Sequence, residues 1–212
     1  MDYLSPTIDP NNALSTRRTL YLISLVERGL TLLRSKPFSM IVFEPPEEFF
    51  EDENPDVLYG LQSLSRLFSL LDKSFLDAWV SYPTSLSAEY LRETFTDKEK
   101  LDILAAQETL ATMSFDKNKL TDVQLVDIVV TQQWLRLVFW QFSMRRGALS
   151  SVDGTPQPFR CDFPRIIAQC LCIGLTSVRV EAIHTHGIAI VSFLFTFPVV
   201  LSVKITNIVA AV

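Results

Sequence analysis

Cysteine, glycine and histidine are all scarce in this chain, and each shortage removes a class of function. Three cysteines in 212 residues, Cys161, Cys170 and Cys172, are few, odd in number and bunched late, which does not make a disulfide framework. Six glycines supply no phosphate-cradling loop, and no Gly-x-Ser-x-Gly elbow occurs. Carboxylates are plentiful (Asp72, Asp77, Glu89, Asp102, Glu108, Asp122, Asp127), but they fall at helix caps and polar faces with no paired spacing. No catalytic constellation emerges, so neither enzymatic activity nor a cofactor is expected. Basic surplus is absent too: 19 Lys and Arg stand against 24 Asp and Glu, for a net charge of -5 and a pI near 5.1. Arg17-Arg18 and Arg145-Arg146 are isolated pairs. Neutralising phosphates takes a basic patch, so direct DNA binding by this chain is not expected. Residues Met1 to Pro10 contain no apolar run, which argues against a secretory signal and for a reducing intracellular compartment.

The two histidines, His184 and His186, lie two apart, as do Cys170 and Cys172. On a helix such pairs point to different faces; on a strand they would share one. Zinc requires four ligands at defined geometry, so ordinary packing is expected, with Cys170 and Cys172 as small core residues and no metal site.

What the chain does have is apolar content: 48% hydrophobic residues and a mean hydropathy of +0.24. That calls for a large core, or for one membrane-prone segment. Helical periodicity dominates. Leu20, Ile23, Val26, Leu30 and Leu33 recur at three- and four-residue steps and predict one buried face on a helix over 16–34, ended before Pro37. Asn54-Pro55 suits a helix start, and Leu58, Leu61, Leu64, Phe68 and Leu71 predict a stripe over 55–71. Shorter helices are expected over 75–80 and 88–95. Thr96 stands three before Glu99 and Thr121 three before Gln124, the spacing of two capping boxes. The first opens a helix over 97–113 with Leu101, Leu104, Ala105 and Leu110 inward. The second opens a helix over 122–146, with Asp122 at its positive end, Arg145 and Arg146 at its negative end, and Gly147 as a left-handed stop. From Ile128 to Phe142 that helix is apolar on nearly every face, which predicts a central, buried position. Asp162 and Pro164 begin another helix, and a last one, distorted near Pro198, follows. The fold expected is all-α, an irregular helical bundle around a long buried central helix. Residues 36–55, rich in acids, prolines and phenylalanines, read as a loop, or as an acidic-aromatic activation segment.

Four pieces resemble one family. Asp127 to Arg136 (DIVVTQQWLR), continuing to Gln141, is similar to a segment of the fungal-specific transcription factor domain, the helical region that follows a binuclear zinc cluster in many fungal regulators. Leu61 to Leu76 with Trp79 resembles that family's upstream helices. Phe163 to Ala168 resembles its proline-started helix, and Glu181 with His186-Gly187-Ile188 the start of its late helix. The resemblance covers 58–190. It implies a regulatory domain over 16–203 between a flexible 1–15 and a tail at 204–212, acting in the nucleus on transcription. The partners implied are proteins, among them a full-length zinc-cluster regulator, or a small-molecule effector.

Two departures stand against the family's pattern. The zinc cluster needs six cysteines, and three spaced as 161, 170 and 172 cannot supply it, so the DNA-reading module is absent from a sequence that reads as truncated or free-standing. After Gly187, no charge occurs until Lys204. That stretch touches the lower limit for a membrane span, about 17 to 25 residues, so a tail-anchored protein held through 187–203 is the rival reading. Within the central helix, Gln132, Gln133, Trp134, Arg136 and Trp140 are the candidate site: either a polar network that fixes packing, or the lining of an effector pocket between helices.

Overall fold

The computed structural model describes residues 10–37, 55–81 and 95–186. It divides the chain into two compact units, Met1–Ser81 and Tyr82–Val212. Among the described residues the structure is all-α, and the sole extended pairing is an isolated bridge between Ser150 and Arg160.

In the first unit, α1 (Pro10–Arg34) begins six residues earlier than its periodicity suggested, with a proline at the first position, where a missing N–H costs nothing. It stops at Arg34, and Ser35 takes a left-handed φ of 48°. The face it buries is not the aliphatic one. Tyr21, Ser24, Leu25, Arg28, Thr31 and Leu32 are buried, whereas Ile23, Val26, Leu30 and Leu33 lie in solvent, Val26 at 62% exposure. Two stripes of this helix share the same spacing. The buried one is chosen by its partners on α2 (Pro55–Phe68) and α3 (Lys73–Val80), which offer hydroxyl and carbonyl groups. Arg28 donates from Nη1 to the Phe68 carbonyl at 2.9 Å, at the negative end of α2, where a cation is stabilised by about 0.3–2 kcal/mol. Burial holds the Arg28 guanidinium below its usual range and pushes the Tyr21 phenol up, against the opposing pull of Ser65 and Arg28.

Helix α2 ends at Phe68, three residues short of the expected stop, because Leu70 and Leu71 tighten into i→i−3 bonds. Its deepest residues are Ser63, Ser65 and Leu67; of the expected stripe, Leu58, Leu61, Leu64 and Phe68 are partly buried and Leu71, just past the helix, is fully buried, while the two serines turn their hydroxyls back to Tyr59 and Leu61 carbonyls at 2.7 Å. Asp72 caps α3, accepting from the Phe75 amide at 2.7 Å, and Leu76 and Trp79 face inward. The helix expected at 88–95 falls almost entirely outside the described residues, as do most of the 36–55 loop and the segment beyond His186.

The second unit is built on α4 (Asp97–Thr112), α5 (Asp122–Arg145), α6 (Phe163–Leu175) and a helix α7, described over 180–186. Both predicted capping boxes form. The Thr96 amide donates to Glu99 at 2.8 Å and the Thr121 amide to Gln124 at 2.9 Å, with the reciprocal bonds at 3.2 and 3.3 Å. Helix α5 ends in a Schellman motif: Ala148 N–H reaches the Ser143 carbonyl, Gly147 N–H reaches Met144, and Gly147 sits at φ 65°. As its sequence predicts, α5 is buried on most sides, and α4 and α6 pack along it. Helix α4 corrects another expectation. Leu101 is 65% exposed, and the inward residues are Ile103, Gln107 and Leu110. A glutamine takes the central inward position because it has a carbonyl to meet.

Candidate functional site around the central helix

The five singled-out residues all lie on α5, and they are joined to its neighbours mainly through backbone carbonyls. Gln132 donates from Nε2 to Leu110 O at 2.6 Å and to Met113 O at 3.0 Å. Those carbonyls belong to the last turn of α4 and to Met113, which caps it, where no intrahelical partner exists. Gln107, which sequence reasoning passed over, returns the favour from α4, donating from Nε2 to the Arg136 carbonyl at 2.7 Å. Its only sequence signal is the 103, 107, 110 spacing, which places an amide on the inward face. Trp140 donates from Nε1 to the Arg160 carbonyl at 2.9 Å, tying α5 to the segment just ahead of α6. Trp134 is buried.

Arg136 is buried and spans toward α6. Its Nη1 donates to Gln133 Oε1 at 2.9 Å, and its guanidinium lies 5.3 Å from the Phe163 ring centre. No carboxylate pairs with it among the described residues. Its Nε and the Gln107 Oε1 are both buried without a protein partner. Each such group costs about 1–3 kcal/mol when left dry. The network therefore fixes the mutual positions of α4, α5 and α6, and it is incompletely satisfied at its centre.

A separate cavity of about 350 Å³ opens at the other end of α5, lined by Phe95, Lys100, Gly147, Ala148, Leu149, Ser150 and Phe159. None of the five singled-out residues lines it. Phe95 meets Phe142 and Phe159 edge-on, with centroids 6.3 Å apart in each pair. Lys100, at the rim, is already paired with Asp97 at 2.9 Å. Beside it, Arg146 bridges to Glu99 at 3.1 Å and lies over the Phe142 ring, so the capping glutamate of α4 also binds the last turn of α5. The cavity is small, with an aromatic floor and no unengaged charge on its lining.

At the opposite end, Asp122 does more than favour the α5 dipole. Its carboxylate pairs with Arg179 in the link between α6 and α7. Below it, Leu125, Val126 and Val130 pack against Leu171, Val178 and Ala182. His186 faces α5, whereas His184 is exposed on the other side of α7, as two-residue spacing on a helix requires. The cysteines depart from expectation. Cys161 and Cys172 are exposed and only Cys170 is partly buried, because the inward face of α6 runs through Phe163, Ile167 and Leu171. Among the described residues, no three His, Cys, Asp or Glu side chains are placed to share a metal, and no helix is long and apolar enough to cross a membrane. The apolar stretch 187–203 lies outside the described residues. Compared with known proteins, the chain matches no family model, no curated protein and no solved structure.

Proposed function

We propose that this chain is a helical regulatory domain that works by contact, with a protein partner or a small effector, and carries out no chemistry of its own. The observation that carries the reading is the use made of α5. The segment Asp127–Gln141, which bears the strongest resemblance to the fungal-specific transcription factor domain, is the interior of the second unit, and its glutamines, arginine and Trp140 bond to neighbouring backbone or to one another. The other resembling pieces fall on helices in the same order: 61–76 on α2 and the start of α3, 163–168 on the first half of α6, and Glu181 and His186 on α7. Such a scaffold offers its outer faces to a partner, and in this family's setting that partner is the transcription machinery or a full-length zinc-cluster regulator, in the nucleus. A net charge of -5 supports contact with proteins rather than with DNA.

The test is a reporter assay in a fungal host. The full chain is fused to an unrelated sequence-specific DNA-binding domain that is silent by itself. A severalfold rise or fall in reporter output, lost when Leu135→Asp disrupts the α5 core, is the expected result. Unchanged output with a folded, nuclear fusion would overturn the proposal, as would tight, salt-sensitive, sequence-specific DNA binding by the isolated chain. The rival role, an anchor through 187–203, predicts that an N-terminally tagged chain decorates internal membranes and becomes diffuse on deleting 187–212.

A further inference from the structure

The chain has two histidines, and both lie on α7. His184 is exposed; His186 is turned against α5, its side chain only 14% accessible. Its Nδ1 lies 3.0 Å from Oδ1 of Asp127, and its Nε2 lies 3.1 Å from the carbonyl oxygen of Val123. Both partners belong to the first two turns of α5, so the imidazole spans from one helix to the other with an acceptor at each nitrogen.

That arrangement fixes the proton count. A carbonyl oxygen can only accept, so a hydrogen bond at this contact requires hydrogen on Nε2. The Nδ1–Oδ1 contact then needs a second proton. It sits either on the ring, giving an imidazolium against a carboxylate, or on the acid, which donates to a neutral ring. Without it, a nitrogen lone pair would face an ionised carboxylate. When α7 is separated from α5 in water near neutral pH, the ring is mostly neutral and the aspartate is ionised. Docking therefore takes up one proton, whichever atom holds it.

We propose that His186 and Asp127 form a proton-dependent latch that fastens α7 onto the first turns of α5. The hydrophobic seam of Val178, Ala182 and Ile183 against Val123 and Val126 supplies the rest of the docking, so the latch adjusts an existing contact rather than creating it. Burial also pushes the Asp127 carboxyl up, opposed by the nearby imidazole. The sign follows from linkage: the docked form binds more protons than the undocked form, so docking weakens as pH rises, by at most about tenfold per pH unit for a single proton.

Other ionisable groups from the packed elements are accounted for. On α5, Asp122 is held by Arg179; from the turn before α5, Lys117 reaches Ser177; on α7, Glu181 and His184 face outward.

Hydrogen exchange on the full-length chain, with rates divided by the intrinsic rate at each pH, reads the docking directly. Protection of the 182–186 amides is expected to fall by up to about tenfold per unit between pH 6 and 8, while the amides of Ile103–Leu110 in α4 stay constant. His186→Gln and Asp127→Asn are each expected to flatten that slope; His184→Gln is expected to keep it. A flat profile in the native chain overturns the latch, and so does a slope that survives His186→Gln or disappears in His184→Gln. Should His186→Gln fail to fold, the native chain and His184→Gln still decide the matter, together with the Cε1 resonance of His186. A shift confined to the range where α7 loses protection supports the latch; one independent of that loss refutes it.

Discussion

Two mid-helix glycines should respond to alanine with opposite signs. On α6, a Cβ built at Gly174 would lie 2.6 Å from Cγ1 of Val129 on α5 and 3.5 Å from its Cγ2. On α1, a Cβ at Gly29 would meet no heavy atom within 4 Å. Alanine in a helix interior is favoured over glycine by about 1 kcal/mol, so Gly29→Ala should stabilise the first unit by about 0.5–1 kcal/mol. At Gly174 the same gain is opposed by overpacking, which costs about 1–3 kcal/mol. The outcome turns on whether Val129 can yield. A β-branched side chain in a helix has essentially one χ1 rotamer, so it cannot swing aside, and the helices must separate instead. Gly174→Ala is therefore expected to destabilise the second unit by about 1–2 kcal/mol. In a Val129→Ala background the clash vanishes and the same substitution should stabilise, giving a coupling energy of about 2 kcal/mol. Urea unfolding followed by tryptophan fluorescence is suitable: Trp134 and Trp140 lie in the second unit, and a Trp79→Phe background silences the first. If Gly174→Ala is neutral or stabilising, or costs the same with Val129 truncated, the close approach of α5 and α6 is not what that glycine serves.

Substitutions at two further positions probe the polar centre. Trp140→Phe removes the 2.9 Å bond to the Arg160 carbonyl and some buried volume; a loss of about 2 kcal/mol is expected, with faster hydrogen exchange at Ser150 and Cys161, whose amides close the adjoining bridge. Arg136→Met removes a buried cation that has no carboxylate partner among the described residues and an unpartnered Nε, while keeping most of its packing over Phe163, so it should unfold within about 1 kcal/mol of the native chain or later, whereas Arg136→Ala should cost about 2–5 kcal/mol in the same urea titration.

What the sequence disclosed best were the features set by local geometry. Thr96 with Glu99, Thr121 with Gln124, and Gly147 after Arg145-Arg146 each specify a helix end through bonds within a few residues, and all three form. The burial of α5 was legible for a related reason: a helix apolar on every side has no outward face to misassign. Faces were illegible where two stripes competed. On α1 the aliphatic series 23, 26, 30, 33 and the mixed series 21, 24, 25, 28, 32 have equivalent periodicity, and the groups that the inward stripe meets on α2 and α3, among them the carbonyl of Phe68 forty residues away, are not visible from α1 itself. Leu101 on α4 failed likewise, because Gln107 has the Arg136 carbonyl to bond and so turns its own stripe inward. Among the five candidate residues, the polarity within an apolar helix was visible, but their partners were not: a sequence does not show which distant backbone carbonyl an amide will meet.

The placement of those partners bears on where a ligand or partner can act. Gln132 bonds to the end of α4, Gln107 to the middle of α5 and Trp140 to the segment before α6, so every one of these bonds crosses between elements and satisfies a backbone carbonyl. A ligand inserted among them would have to replace each bond it broke, since a buried amide or indole N–H left unmet costs as much as the bond contributes, and often more. The centre of the second unit is therefore poorly suited to open, although it is where the polar residues cluster. The places that can respond at low cost are the two ends of α5: the aromatic-floored cavity beside Gly147, where Lys100 exchanges an exposed ion pair, and the seam with α7, where a single imidazole is added to a small apolar contact. Under the regulatory reading proposed above, a change would enter at those ends and pass along α5, whose middle is tied to α4 and to the segment before α6.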